Sequence, residues 1–467
     1  MGGFSSFAVS FSIISVLTGC ITAYADAIGP GGPAALGLGW PLVSVGTLIV
    51  AVAMAELASA FPTAGALYHW SALLGGAGWG WVTAATNITG QLAIVAAIDF
   101  GCAKVLAATL GLGEKPAAPY VLLAIILASH AIVNAFSVKV VAVLNDFSAT
   151  VHIIGVVVLV VALLAIGRAQ PVSFLTMTSF TTRADGDVTF GFLNGLALSM
   201  FTFTGYDASA HLAEETHDPA RRTAWGIVSA VGVSAIAGYL LLCAITLAIK
   251  DLPAIGADPD AALTVMKSAL GDGWGRSAMG LALAAMWFCG LSSVTSASRT
   301  LYAFARDRGL PGSKHIGKVD ERTRTPLVAI VIVTLGPFLL CTGIAPFSDK
   351  VFDATSKMAT MALYASYATP ILLGAVARHG RRWKKLGPFN VGRFGLPIAW
   401  LAFAWSAFVL VVCSLPPNQL PAKMLGALIV ILAVVWVAFV RGTFSGPKVK
   451  LAAIESDGAP SGAGEPT

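Results

Sequence analysis

The chain has 467 residues, of which 57% are hydrophobic and 11% charged, with a formal net charge of +6 and a mean hydropathy of +0.81. Soluble domains carry roughly 25% charged residues, so this composition excludes an ordinary soluble fold. Its six cysteines stand singly, at 20, 102, 243, 289, 341 and 413, which excludes a disulfide framework and a Cys/His metal site.

Apolar runs fall at 4–27, 40–61, 79–110, 119–137, 147–167, 189–212, 223–249, 276–304, 326–345, 352–377, 396–415 and 422–441. Each reaches the roughly 20 residues that carry a helix across a bilayer core of about 30 Å. Alternating barrel strands do not recur, so the expected fold is an all-α polytopic membrane protein with about 12 transmembrane helices. We number these spans 1 to 12. The start Met1-Gly2-Gly3-Phe4-Ser5-Ser6 fits a myristoylation pattern formally, but the apolar run begins almost at once, which points to a trimmed N-terminus.

The loops carry an orientation signal. Lys and Arg concentrate after the even-numbered spans, most densely over Arg378, Arg381, Arg382, Lys384 and Lys385. By the positive-inside rule both termini are cytoplasmic. The same bias accounts for the net charge without nucleic acid and makes anionic lipid headgroups the expected partners of the basic loops. Segment 64–78, aromatic and Gly-rich after Phe61-Pro62-Thr63, is expected to lie along the cytoplasmic interface, and 257–271 to form a short extracellular helix. The tail 442–467 is rich in Gly, Pro, Ser and Ala and is expected to be disordered.

Spans 1 and 6 stand apart. Span 1 carries Ser12, Ser15, Thr18 and Gly19, and span 6 carries Ser199, Thr202, Thr204, Gly205 and Asp207. Interrupted helices at matching positions of two successive five-helix sets are the sequence pointer to an inverted-repeat transporter with a midplane site. Small-residue packing faces are the structural alternative. The domain reading is a single unit over 1–441: a first repeat over 4–168, a second over 189–378, and two extra helices over 396–441.

Several motifs then stand in a specific order. They are Phe11-Ser12-Ile13-Ile14-Ser15-Val16-Leu17-Thr18-Gly19 in span 1, Gly31-Gly32-Pro33 before span 2, and AELASAFPTAGALY from Ala55 to Tyr68. Asn87-Ile88-Thr89-Gly90-Gln91 follows in span 3, then FTGYDASAHLAEET from Phe203 to Thr216 and SRTLYAFARD from Ser298 to Asp307. Over spans 1–12 the chain resembles the amino acid, polyamine and organocation permease superfamily, nearest its amino acid/choline/GABA branch. The resemblance implies a five-plus-five inverted repeat with two added helices, and no enzymatic activity. It also implies secondary transport of a small amino acid or amine, with a carrier of a carboxylate-free cation such as choline or a polyamine as the alternative. A bacterial cytoplasmic membrane is the expected location.

The resemblance also implies a site. Ser15, Thr18 and Gly19 of span 1, Gln91 of span 3, and Phe201, Phe203, Thr204, Gly205 and Asp207 of span 6 are its candidate substrate-binding residues. Relatives often carry Gly-Ser-Gly in the unwound part of span 1, and Leu17-Thr18-Gly19 is read as its counterpart here, a less open cradle for a carboxylate. Asp207 either meets a substrate ammonium or a proton, or caps the second half of span 6. No cofactor is expected beyond a coupling ion. His152 in span 5 resembles a position that holds a cation-site lysine in some relatives, and an imidazole there would take a proton. Ser292 and Ser293 of span 8 are the rival, a possible sodium site facing span 1 carbonyls. Protons are preferred over sodium. Glu214, Glu215, Arg221 and Arg222 are read as cytoplasmic gate ion pairs or a solvated loop, and Asp99, Lys104, His130 and Asn134 as peripheral.

Overall fold

A computed structural model describes residues 2–136, 138–178, 188–348, 350–416, 419–442 and 444–447. These form helices joined by short connections, with no strand among the described residues. Eleven helices are long and apolar enough to cross a membrane. They are Gly3–Thr22, Gly39–Ala60, Ala77–Thr109, Ala118–Phe136, Lys139–Gly167, Pro219–Leu247, Gly273–Arg306, Leu327–Ile344, Val351–His379, Gly392–Ser414 and Gln419–Val440, which are spans 1 to 5 and 7 to 12. The twelfth expected segment is present but divided: Val188–Thr202 is too short to cross alone, and a second piece, Ala208–His211, follows a five-residue gap. We call the two pieces span 6. The tail from 448 onward lies outside the described residues.

Burial sorts the spans into a centre and a rim. Of the most apolar window of span 1, 83% is buried, against 6% for span 12. Span 3 packs along span 10, span 2 along span 7, and the two pieces of span 1 are held by spans 5, 6, 7 and 8. The rim faces are Val and Ile: Val143, Ile154, Val157, Val161 and Ile166 of span 5 all point outward, as helices in lipid require. Association among the central helices rests on close packing of small residues, since lipid tails are as apolar as Leu side chains.

Span 5 begins at Lys139, eight residues earlier than 147. The polar residues Asn145 and Asp146 read as a loop, yet each finds a partner inside the bundle, as does Ser148 just beyond them. Ser292 donates to Asn145 Oδ1 at 2.8 Å, Ser5 to Asp146 Oδ2 at 2.9 Å, and Ser12 to Ser148 at 3.0 Å. A polar helix start is stable when neighbouring helices supply its partners. The segment read as interfacial forms the helix Ala66–Gly75, and it is tucked in rather than laid on the surface, with Tyr68, His69, Trp70 and Ser71 buried. Ala261–Gly271 forms the short helix expected over 257–271.

Candidate functional site

Span 1 breaks at a single residue. The helix Gly3–Ile14 ends where Ser15 takes φ 33 and ψ 79, and the helix resumes over Val16–Thr22. A serine in the left-handed region is uncommon and marks a position held by its surroundings. Ser15 caps the second piece, its Oγ accepting from the Thr18 N–H at 3.3 Å while lying 2.6 Å from Thr18 Oγ1. The break therefore falls two residues before Leu17-Thr18-Gly19, which lie in a continuous helix. The triplet read as the unwound cradle is not unwound, because the Ser15 cap re-forms the helix at once.

His152 meets this break from span 5. Its Nε2 lies 2.7 Å from Ser15 Oγ, and its Nδ1 lies 2.8 Å from the Ser148 carbonyl oxygen. The carbonyl can only accept, so Nδ1 carries the hydrogen and Nε2 accepts from the Ser15 hydroxyl. His152, Ser15 and Thr18 thus form one buried chain at the point where span 1 changes direction.

Span 6 opens over 203–207. Gly205 has φ 81, a left-handed conformation that favours glycine, and its N–H donates to Tyr367 Oη at 3.1 Å. Tyr367 in turn donates to Asp207 Oδ1 at 2.8 Å. The other carboxylate oxygen receives Asn87 Nδ2 at 3.2 Å and lies 3.1 Å from His211 Nε2. Asp207 makes no side-chain bond to the backbone of Ala208–His211, so the capping alternative does not hold. Gln91 Nε2 extends the network to Asn87 Oδ1 at 2.7 Å and to Thr300 at 3.0 Å. Spans 3, 6, 8 and 10 are therefore stitched together around one buried carboxylate.

The two breaks face each other. A Cβ on Gly19 would lie 2.2 Å from Thr202 Oγ1, and one on Gly205 would lie 2.2 Å from Ile13 Cγ2. Both contacts are shorter than any real Cβ contact, so glycine is what lets spans 1 and 6 cross here. Between them is a small cavity of about 10 Å³, lined by Ile13, Ile14, Thr18, Gly19, Ile94, Ile98, Phe201, Thr202, Thr204 and Cys289. Its walls are apolar with a few hydroxyls, and no charged side chain reaches them.

Other expected residues divide. Phe201 lines the cavity and meets Phe352 of span 10 edge-on, ring centroids 5.9 Å apart. Phe203 turns away and packs on Trp40, centroids 4.6 Å apart, so it belongs to the contact with span 2. Ser292 donates to Asn145 and to the Phe288 carbonyl, and Ser293 to the Cys289 carbonyl. The span 1 carbonyl that faces span 8, that of Ile13, accepts from Cys289 Sγ at 3.2 Å. Among the described residues no hydrogen bond joins Ser292 or Ser293 to span 1.

The two ends of the bundle differ. At the end carrying Gly3, Arg306 makes a two-pronged bond to Glu214, both arms 3.1 Å, and Arg299 lies 3.4 Å from Glu215. The expected ion pairs of Glu214 and Glu215 exist, but their partners are on span 8 rather than Arg221 and Arg222, which lie on span 7. Burial acts to raise the Glu214 carboxyl, and the Arg306 guanidinium nonetheless holds it below the usual carboxylate value. At the opposite end a wide cavity is lined by Asp26, Phe100, Lys104, Asn194, Phe352, Asp353 and Lys357 among others, with Lys357 paired to Asp353. Phe201 and Phe352 stand between it and the small cavity.

Sequence reasoning did not single out His211, Tyr367 or Thr300. His211 was detectable, four residues after Asp207 and so on the same helical face. Tyr367 and Thr300 carry no such signal, since only the packing of spans 8 and 10 brings them to the network.

A bundle of apolar spans in which two broken helices cross around a small cavity defines a polytopic membrane transport protein. A family model described as "Amino acid permease" matches residues 1–440. The amino-acid permease BAT1 homolog of Oryza sativa subsp. japonica is 36% identical, over 96% of this chain and 92% of the relative. Amino-acid permease BAT1 of Arabidopsis thaliana is 34% identical over 95% and 92%, and the GABA-specific permease of Saccharomyces cerevisiae 28% over 88% and 75%. The chain belongs to the amino acid permease family, within the amino acid, polyamine and organocation superfamily, and is a permease rather than an enzyme.

Proposed function

We propose that the chain is a secondary active transporter that moves a small zwitterion, an amino acid or a GABA-like amine, by alternating access. The observation that carries this reading is the crossing of the two broken helices, spans 1 and 6, around a small apolar-walled cavity. A broken helix frees N–H groups for a carboxylate and carbonyl groups for an ammonium, so both ends of a zwitterion find partners without a charged wall. The names of the relatives support the same class.

Coupling is to protons, with His152 as the group that takes one up. A proton on its Nε2 turns that atom from an acceptor of the Ser15 hydroxyl into a donor, which changes the bonding at the break itself. Because a ligand shifts an equilibrium only by its differential affinity, this group acts through the state of span 1. The inverted five-plus-five repeat, cytoplasmic termini and anionic lipid at the basic loops belong to the same proposal. On that orientation the Glu214–Arg306 end is the cytoplasmic gate and the wide cavity is the outer vestibule.

The test is a thermal-shift screen of purified protein against amino acids, GABA, choline and polyamines, with the methyl ester of each amino acid hit. Binding stabilises by about RT ln(1 + [L]/Kd), so hits at tens of Kd are visible. Stabilisation by the zwitterion and not by its ester supports the reading. Equal stabilisation by the ester, or by choline alone, replaces it with a carrier for carboxylate-free cations.

A further inference from the structure

We propose that Asp99 and His130 form a proton-binding site inside the bundle, distinct from the break in span 1 and from Asp207. The inference goes beyond the transport reading and rests on it only for its consequence. Asp99 is on span 3 and His130 on span 4, both wholly buried, with Asp99 Oδ2 3.1 Å from His130 Nδ1. Each has one further atom, Asp99 Oδ1 and His130 Nε2, that is buried with no hydrogen-bond partner among the described residues. Unpaired buried polar atoms are few in native proteins, and an ionisable residue at membrane depth marks a functional site by default.

The surroundings fit a proton as the ligand. Span 8 presses on the pair through Gly290, where a Cβ would lie 2.0 Å from Asp99 Oδ1 and 2.6 Å from His130 Cε1. Trp287 covers the imidazole, ring centroids 5.2 Å apart. This space admits a proton and excludes a hydrated cation. The titratable groups that feel Asp99 from the packed elements are the thiols of Cys102 on span 3, Cys289 on span 8 and Cys341 on span 9. None of these can neutralise a carboxylate, so His130 is the pair's basic member. With one proton the pair is neutral overall; with none it carries a single buried negative charge, the costlier state in an apolar bundle.

Position gives the site a route and a consequence. Phe100 and Lys104, the first and fifth residues after Asp99, line the wide cavity, which puts its wall about 1.5 to 7.5 Å from Asp99 along the helix axis. On the other side, Cys289 adjoins Gly290 and holds the Ile13 carbonyl, two residues before the Ser15 break. Proton uptake from the wide cavity therefore bears on the segment of span 8 that contacts the break.

The experiment is infrared difference spectroscopy of the purified full chain, acidic minus neutral, for wild type, Asp99→Asn, Asp99→Glu and His130→Gln. We expect a pH-dependent imidazole ring band, with an accompanying shift of the carboxylate stretch, that is lost in His130→Gln, altered in Asp99→Asn and restored in Asp99→Glu. Wild-type and Asp99→Asn spectra that superimpose overturn the proposal. If Asp99→Asn does not purify as a folded species, His130→Gln decides alone, and a pH-dependent band unchanged by that substitution overturns it. Uptake of labelled GABA and amino acids is measured in parallel. No flux in wild type overturns the transport reading, while the spectra still decide whether the pair binds a proton.

Discussion

His152 Nε2 lies 2.7 Å from the Oγ of Ser15, the one residue at which span 1 leaves helical geometry. A titratable ring on one helix is thereby bonded to the deformable point of another. Replacing His152 with Ala leaves the Ser15 hydroxyl without this acceptor and removes the proton-accepting nitrogen. We expect uptake driven by a pH gradient to fall at least roughly tenfold and the remaining flux to lose its pH dependence, consistent with a lost bond plus a lost charge state. Measuring initial uptake rates from pH 5 to 8 in both proteins checks this. An unchanged pH profile moves the coupling proton elsewhere.

The Asp207 network predicts a stability effect. Tyr367→Phe keeps the ring but removes the hydroxyl that joins Gly205 N–H to Asp207 Oδ1. A buried partner left unsatisfied costs about 1–3 kcal/mol. Thermal unfolding in detergent should show that loss, whereas Tyr364→Phe, at a residue bonded to Thr47 at 3.2 Å, serves as a control outside the network. Equal losses in the two variants contradict a special role for the Asp207 cluster.

Close approach of the broken helices gives a third prediction. Gly19→Ala forces a methyl group against Thr202 Oγ1, and overpacking of this kind costs about 1–3 kcal/mol. The double variant Gly19→Ala/Thr202→Ala should recover part of the lost stability, because it removes the 2.2 and 2.6 Å contacts and leaves the one to Thr202 Cβ at 2.8 Å. Failure of the second substitution to rescue indicates that the strain arises in the backbone instead.

At the end carrying Gly3, Glu214→Gln tests the Arg306 pair. The side chains are 51% and 37% exposed, and exposed pairs contribute only about 0.2–1 kcal/mol. The carboxyl of Glu214 is held below its usual value, so the pair persists above the ordinary carboxylate range and is lost only as pH falls through that lowered value. The expected effect is therefore small, up to about fivefold faster labelling of a cysteine placed at Ala64 beside the gate, and insensitive to pH between 6 and 8. No change in labelling assigns the closed gate to the buried Tyr68, His69 and Asp307 cluster, in which His69 Nε2 lies 3.0 Å from Asp307.

The spans were legible because lipid demands long apolar helices, and most boundaries fell within a few residues. Span 5 was the exception: Asn145 and Asp146 look like loop residues until Ser292 and Ser5 are placed beside them. Span 6 was legible as a broken helix through Gly205 and its neighbours. The break in span 1 was placed too late, since nothing local tells that Ser15 rather than Leu17-Thr18-Gly19 leaves the helix. His152, Asp207 and Gln91 were recognised as polar residues at membrane depth. Their partners were not, and neither was the orientation that separates Phe201 from Phe203, because both depend on contacts between distant helices. The bacterial membrane expected from the sequence has no counterpart in the plant and fungal sources of the relatives compared here.

The most direct measurement is counterflow. Proteoliposomes containing the purified chain are loaded with an unlabelled amino acid and diluted into a trace of the labelled one at equal pH, then with an inward pH gradient. The account predicts transient, saturable accumulation of label that an amino-acid methyl ester does not support and that the gradient increases. Linear, non-saturating entry of label, or counterflow supported equally by the ester, contradicts an alternating-access site built between the breaks of spans 1 and 6.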